Sequence, residues 1–396
     1  MKQKSKFKQT EIGKIPEDWE IKKIEDAAEI KMGQSPPGIS YNLFGEGIKF
    51  MQGVRTFGEK YPFFDTYTTQ TTKKAEAGSI LLSVRAPVGE INITKEDLCI
   101  GRGLASLNMK NGNNEFLYYL LKKFKSLIIG RETGSVFGSI NSEQVKNLSL
   151  PFPDDSEQIS IAKILSSLDE KIELNNKMNK TLEAIGQALF KKWFIDKRKG
   201  EWEEGKLGEI GKIQPGFAFK SSDFVSEGYK LIKIRNIQNP VVDIIKVEDF
   251  LSEEIFNKID KKFYLESGNI LIAMTGAELG KVGIIPKTPD KMLLNQRVGK
   301  VISENPFLFY FYITSSEIQG YFKGIASASS AQGNISNSDI EGIEIIMPDE
   351  KTINKFTSST KKMFELWISN LQQSQTLSSL RDALLPKLMS GEVRVK

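Results

Sequence analysis

Arginine, glutamine and asparagine recur in glycine-rich stretches of this sequence. Gly33-Gln34-Ser35-Pro36-Pro37-Gly38, Arg55, Ser83-Val84-Arg85-Ala86, Gly101-Arg102-Gly103 and Thr133-Gly134-Ser135-Val136-Phe137-Gly138-Ser139 lie in the first half. Pro215-Gly216-Phe217-Ala218-Phe219-Lys220, Arg235-Asn236, Ala273-Met274-Thr275-Gly276, Asn295-Gln296-Arg297 and Ser327-Ala328-Ser329-Ser330-Ala331-Gln332-Gly333-Asn334 lie in the second. Arginine pairs with the guanine edge and Asn or Gln with the adenine edge. Glycine and other small residues let backbone N–H groups come close to phosphates. The candidates for contact with DNA are therefore Gln34, Ser35, Arg55, Arg85, Arg102, Ser135 and Ser139 in the first half. In the second they are Lys220, Arg235, Asn236, Thr275, Gln296, Arg297, Ser329, Gln332 and Asn334. Each is equally compatible with an ordinary polar loop residue.

Catalytic chemistry is hard to place. The chain has no histidine, which removes His-based triads, His general bases and His metal ligands. It has no G-x-x-x-x-G-K-[ST] loop and no G-x-G-x-x-G after a strand. Its single Pro-Pro pair sits in the loop Ser35-Pro36-Pro37-Gly38 and does not follow an Asn or Asp, as a DNA amino-methyltransferase would require. Pro153-Asp154 followed by Asp169-Glu170-Lys171 matches the loose spacing of a metal-dependent nuclease. That chemistry needs the acidic-x-Lys on a strand. Here Asp169 and Lys171 fall two apart on a predicted helix and share no face, so a solvated helix surface is expected.

At 396 residues the chain has room for two domains, each with its own core. The net charge of +5 permits a nucleic-acid partner without requiring one. Cys99 is the only cysteine, so no internal disulfide is expected, which suits a cytoplasmic setting. No apolar run approaches the ~20 residues of a membrane span.

The loops are positioned by a repeat. Trp19-Glu20-Ile21-Lys22-Lys23-Ile24 returns as Trp202-Glu203-Glu204-Gly205-Lys206-Leu207, 183 residues later, with Gly33 and Gly216 each fourteen residues beyond the tryptophan. Two copies of one domain follow from a repeat of this size. Short apolar runs after glycine predict strands at Gly47–Met51, Gly78–Leu82, Gly228–Ile232 and Gly268–Ile272. Phe116–Leu121 and Phe307–Tyr312 predict short core helices. Each copy is therefore expected to be a mixed α/β domain on a curved, mostly antiparallel sheet.

A long helix is expected after each copy, over about Glu157–Ile195 and Thr352–Met389. The first carries an apolar stripe of Ile161, Ile164, Leu168, Ile172, Met178, Leu182, Ile185, Leu189 and Trp193. The second carries Met363, Trp367, Leu377, Leu380, Leu384 and Leu388. Asn175 and Asn370 occupy the gap in each stripe, where a polar residue would fix helix register. The residues expected to pair the helices are Leu168, Ile172, Asn175, Leu182, Leu189, Met363, Trp367, Asn370, Leu377 and Leu384. The fold class is α+β: two pseudo-symmetric mixed α/β domains joined by two long antiparallel helices in a coiled-coil-like rod. The expected boundaries are 1–155 and 199–350 for the domains, and 156–198 and 351–396 for the helices.

Several stretches resemble the specificity subunit of type I restriction–modification systems. They are Thr10-Glu11-Ile12-Gly13-Lys14-Ile15-Pro16-Glu17-Asp18-Trp19, Gly138-Ser139-Ile140-Asn141 through Pro151-Phe152-Pro153, Glu157-Gln158-Ile159 with Ile161-Ala162-Lys163-Ile164-Leu165, and Leu384–Val393. The resemblance implies a non-catalytic reader of a split site on double-stranded DNA, one half per domain, with an unread spacer set by the helices. It also implies docking of two modification subunits, which carry S-adenosylmethionine and methylate adenine, and of restriction subunits that use ATP and Mg. No cofactor is implied in this chain itself. Glu350-Lys351-Thr352-Ile353 departs from the pattern of Glu157-Gln158-Ile159. The competing reading is a protein–protein scaffold whose paired domains never touch DNA.

Overall fold

Ile80–Ser83 is apolar at its first three positions because both faces of the strand are covered. Ile80 and Leu82 enter one core, with the helix Asn114–Lys123, while Leu81 enters a second core with Met51, Leu98, Ile100 and Leu104. This two-residue alternation is the strand period. Ile270–Ala273 repeats the device: Ile270 and Ile272 face one core, Leu271 and Ala273 another. The computed structural model describes residues 6–131, 138–196, 202–328 and 333–395.

Two units make up the chain: Met1–Glu170 with Ser378–Lys396, and Lys171–Leu377. In the first, a four-stranded antiparallel sheet runs in the order Ile91–Ile93, Ile80–Ser83, Leu104–Met109, Ala28–Met32. A second sheet runs Tyr41–Asn42, Tyr67–Thr68, Ile48–Met51, Leu98–Ile100, Lys74–Ala75. Its one parallel pairing joins Ile48–Met51 to Leu98–Ile100. The second unit has the same order: Val282–Ile284, Ile270–Ala273, Val298–Ile302, Lys212–Pro215 in one sheet. Phe224–Val225, Phe250–Leu251, Tyr229–Ile232, Met292–Leu294, Tyr264–Leu265 form the other, again with its central pair parallel. The expected short helices are Asn114–Lys123 and Pro306–Thr314. Phe116–Leu121 and Phe307–Ile313 are buried at every position, as befits a helix apolar all round.

The long helices are Asp155–Phe190, continued by a π-helical turn over Lys191–Asp196, and Glu350–Met389. The tryptophans that open the two copies hold the starts of these helices. Trp19 Nε1 donates to Glu157 Oε2 at 3.0 Å, and Trp202 Nε1 to Asp349 Oδ2 at 3.1 Å. In the first unit Arg394 clasps both Asp18 (2.7 Å) and Glu157 (2.7 Å), tying the segment after the second long helix to the first helix's start and to the residue before Trp19.

Within each unit the helices run antiparallel. In the second, Asn175 Nδ2 donates to Gln373 Oε1 and Asn370 Nδ2 to Asn179 Oδ1, each at 2.9 Å. In the first, Arg381 meets Asp169 at 2.7 Å, while Leu388 and Met389 pack with Ile161 and Leu165. The two matched asparagines are thus buried at the seam, but each partners a different amide. The units cut across both helices, because each half-helix packs on the lobe beside it.

The stripe differs from the expected one. Met178, Ile185 and Leu380 are exposed. The first helix buries Ile161, Leu165, Asp169, Ile172, Asn175, Asn179, Gly186 and Phe190, with Leu168, Leu182 and Leu189 half-buried beside them. Steps of three and four continue through the asparagines without a gap, giving the 3.5-residue repeat of a knobs-into-holes pair. On the second helix Trp367, Asn370 and Leu388 are buried, and Met363, Leu377 and Leu384 half-buried. Leu380 yields its place to Arg381. Nor is Asp169 on a solvated surface: it is buried against Arg381, whereas Lys171 is exposed.

Candidate nucleic-acid interface

Strand ends gather the first unit's candidate loops at one place. Gly33 N donates to Leu104 O and Gln34 N to Ile100 O, both at 2.9 Å. Gly101 N donates to Met51 O at 2.8 Å and Gly103 N to Gln52 O at 3.2 Å. A Cβ on Gly33 would run into the Gly101 carbonyl, and one on Gly101 or Gly103 into Gln52, so only glycine permits this approach. Ser35 Oγ then donates to Gln52 Oε1 at 2.8 Å and accepts from Arg102 N at 3.2 Å. Gln52 is exposed at the centre of this cluster; sequence reasoning missed it, and no motif marks it. Val84 N donates to Gly103 O (2.9 Å), and Arg85 pairs with Ser139 in an antiparallel bridge. Gln34, Ser35, Arg85, Arg102 and Ser139 are therefore brought together, with the glutamine and both arginines exposed.

The second unit builds the same frame. Gly216 N donates to Val298 O (3.1 Å), Phe217 N to Leu294 O (3.0 Å) and Gln296 N to Phe217 O (2.9 Å). Met274 N donates to Arg297 O at 3.1 Å, and Thr275 bridges Asn334. Gln296, Arg297 and Asn334 are exposed. Thr275 is buried: its Oγ1 accepts from Arg297 Nη1 (3.2 Å) and donates to Gly333 O (3.2 Å). It therefore holds the arginine and does not itself face solvent.

Four further candidates make contacts of their own. Asn236 is buried, its Oδ1 accepting from Lys233 N at 2.9 Å to close a 3-10 turn. The Lys220 backbone N donates to Asp223 at 2.7 Å, leaving an exposed side chain. Arg55 is exposed but bidentate on Asp65, at 2.6 and 2.7 Å. Its counterpart Arg235 likewise holds Asp249, and Glu248 at 3.1 Å. The hydrogen bonds from Arg55 keep the Asp65 carboxyl below the usual carboxylate range. The clamp is thus present at neutral pH and opens as pH falls through that depressed value. Ser135, Ser329 and Gln332 lie outside the described residues. Among the described residues no group of three or more His, Cys, Asp or Glu could hold a metal ion, and no helix is long and apolar enough to cross a membrane.

Residues 16–184 and 199–366 each match the type I restriction modification DNA specificity domain. The chain belongs to that family. Two matches in tandem account for the repeat and cover both sets of loops. The type I restriction enzyme MjaIX specificity subunit of Methanocaldococcus jannaschii is 31% identical over 99% of this chain and 97% of its own. The HindI specificity subunit of Haemophilus influenzae is 27% identical over 70% of this chain and 77% of its own. The crystal structure of the type I restriction–modification S subunit from M. genitalium shares the fold, with a TM-score of 0.63 at 18% identity over 98% of this chain and 99% of that one. This specificity subunit provides DNA sequence specificity within a restriction–modification complex; catalysis belongs to the partner subunits.

Proposed function

We propose that each unit reads one half of a bipartite duplex site, and that the paired helices fix the length of the unread spacer. The supporting observation is the matched frame with unlike loops. Gly33 and Gly216 stand at equivalent strand ends, yet where the first unit has Gln34, Ser35 and Arg102 the second has Phe217, Ala218 and Gln296. An identical scaffold with divergent hydrogen-bonding groups presents two different base-reading surfaces. The helices also dock two modification subunits, which supply S-adenosylmethionine and methylate adenine. Restriction subunits bring ATP and Mg, and the whole assembly works in the cytoplasm.

The direct test is Arg297→Ala in the full chain with its modification subunits. The methylated sequence is first obtained by profiling cellular DNA. Loss of a bidentate guanine contact is worth about 1–3 kcal/mol of discrimination, so specificity should relax at one position of one half-site. Equal weakening on every duplex would make Arg297 a phosphate contact. No change on any duplex would remove it from the interface.

Asp65→Asn gives an independent measure. Freeing Arg55 from its carboxylate restores one uncompensated positive charge. The slope of log affinity against log salt should steepen by up to ~0.9. An unaltered slope would show that Arg55 faces no phosphate.

A further inference from the structure

The turn after Tyr41–Asn42 holds large apolar side chains in water. Phe44 is 90% exposed and Leu43 74%, with Ile39 at 93% just before. The turn is braced. Asn42 Oδ1 accepts from Phe44 N (3.2 Å) and Glu46 N (3.0 Å), and its Nδ2 donates to Glu46 O (2.9 Å). Gly47 sits at φ +83°, where a Cβ would also strike the Thr68 carbonyl. Below the turn Tyr41 stacks on Phe50, with ring centroids 4.6 Å apart. Exposed apolar side chains on a preorganised support mark an interaction site.

The turn is joined to the candidate reading loops. The Tyr41 hydroxyl donates to Pro36 O at 3.0 Å, Thr69 N donates to Ser40 O at 3.1 Å, and Thr72 Oγ1 donates to Gln34 O. Gln34 and the apolar turn are thus tied to the same connection, the one between Tyr67–Thr68 and Lys74–Ala75. Size decides between partners. A stable protein interface needs about 800 Å² per side, more than a few side chains on one tight turn supply. A wedge between base steps needs only one or two apolar side chains. The geometry points to Phe44, backed by Leu43, as a wedge that enters the duplex stack at the half-site read by the first unit. This rests on the proposed DNA-reading role of the loops. The matching turn of the second unit carries no such wedge: between Phe224–Val225 and Tyr229–Ile232 stand only Ser226, Glu227 and Gly228.

The test uses the full chain assembled with its modification subunits, on duplexes carrying 2-aminopurine at successive positions of the methylated sequence. The wild type should brighten the probe at one step of one half-site, away from the methylated base. Phe44→Ala should abolish that signal and weaken binding about tenfold, as loss of one aromatic–base stack does. Phe44→Trp should keep the signal, with its own emission quenched on binding. Specific wild-type binding with no such step, or a signal that survives Phe44→Ala, overturns the wedge and leaves the reading loops standing. Failure of the wild type to distinguish its methylated sequence from a scrambled duplex overturns both. Failure of Phe44→Ala to assemble with the modification subunits would make the turn a protein contact and overturn the wedge.

Discussion

Arg381→Met should destabilise the first unit by about 3–5 kcal/mol, the range for removing one partner of a buried ion pair. Arg381 is 6% exposed on the second long helix, with Nη1 at 2.7 Å from Asp169 Oδ1 and 2.8 Å from Glu59 Oε1. Burial alone would push the guanidinium down, but its hydrogen bonds to Asp169 and Glu59 outweigh that and hold it above its ordinary range. Asp169 Oδ2 is taken by the Tyr119 hydroxyl at 2.5 Å, and Lys60 stands 4.0 Å away, engaged with Glu115 at 2.8 Å. Without Arg381 the Asp169 carboxylate stays in a desolvated site with a distant, shared lysine. Urea unfolding measures the loss. The double variant Asp169→Leu with Arg381→Met should recover most of it, because an apolar pair of similar volume is often neutral. A double variant no better than the single one would mean that Arg381 acts through the packing of its stem.

Trp367→Ala should cost the second unit about 3–5 kcal/mol. Trp367 is fully buried and lies edge-on to Phe307 (5.7 Å, 83°) and Tyr310 (5.4 Å, 81°). It joins the second long helix to the core helix Pro306–Thr314. Its indole N–H is buried and finds no acceptor among the described residues, so the side chain serves by volume and ring geometry. Trp367→Phe keeps an aromatic ring and removes an orphaned donor, and should lose less than about 1.5 kcal/mol. Thermal denaturation of both variants separates the two roles. Equal loss in Ala and Phe would show that the indole nitrogen has a partner after all.

The repeat was legible because glycine and tryptophan sit where backbone geometry and helix starts demand them. Gly33 and Gly216 each lie against another backbone, and Trp19 and Trp202 each reach an acid at a helix start. The helices were legible from their period. The seam was less so: following apolar residues led to Met178 and Ile185, whereas the constant spacing runs through Asn175, Asn179 and Gly186. A stripe read by hydropathy skips amides that find partners across the interface. Asp169 reads as a solvated residue because its partner stands far along the chain at Arg381. Among the loop candidates, burial of Asn236 and Thr275 and the acids facing Arg55 and Arg235 depend on contacts that no local pattern encodes.

The first unit joins Met1–Glu170 to Ser378–Lys396 across the whole of the second, fastened where Arg394 meets Asp18 and Glu157. The second is drawn from Lys171–Leu377. Domains usually mature in the order in which the ribosome releases them. Here that order is inverted: the lobe begun first must wait for Ser378–Lys396, which the ribosome releases after every residue of the second lobe. A premature stop shortly after Leu377 would therefore injure the earlier-made lobe and spare the later one.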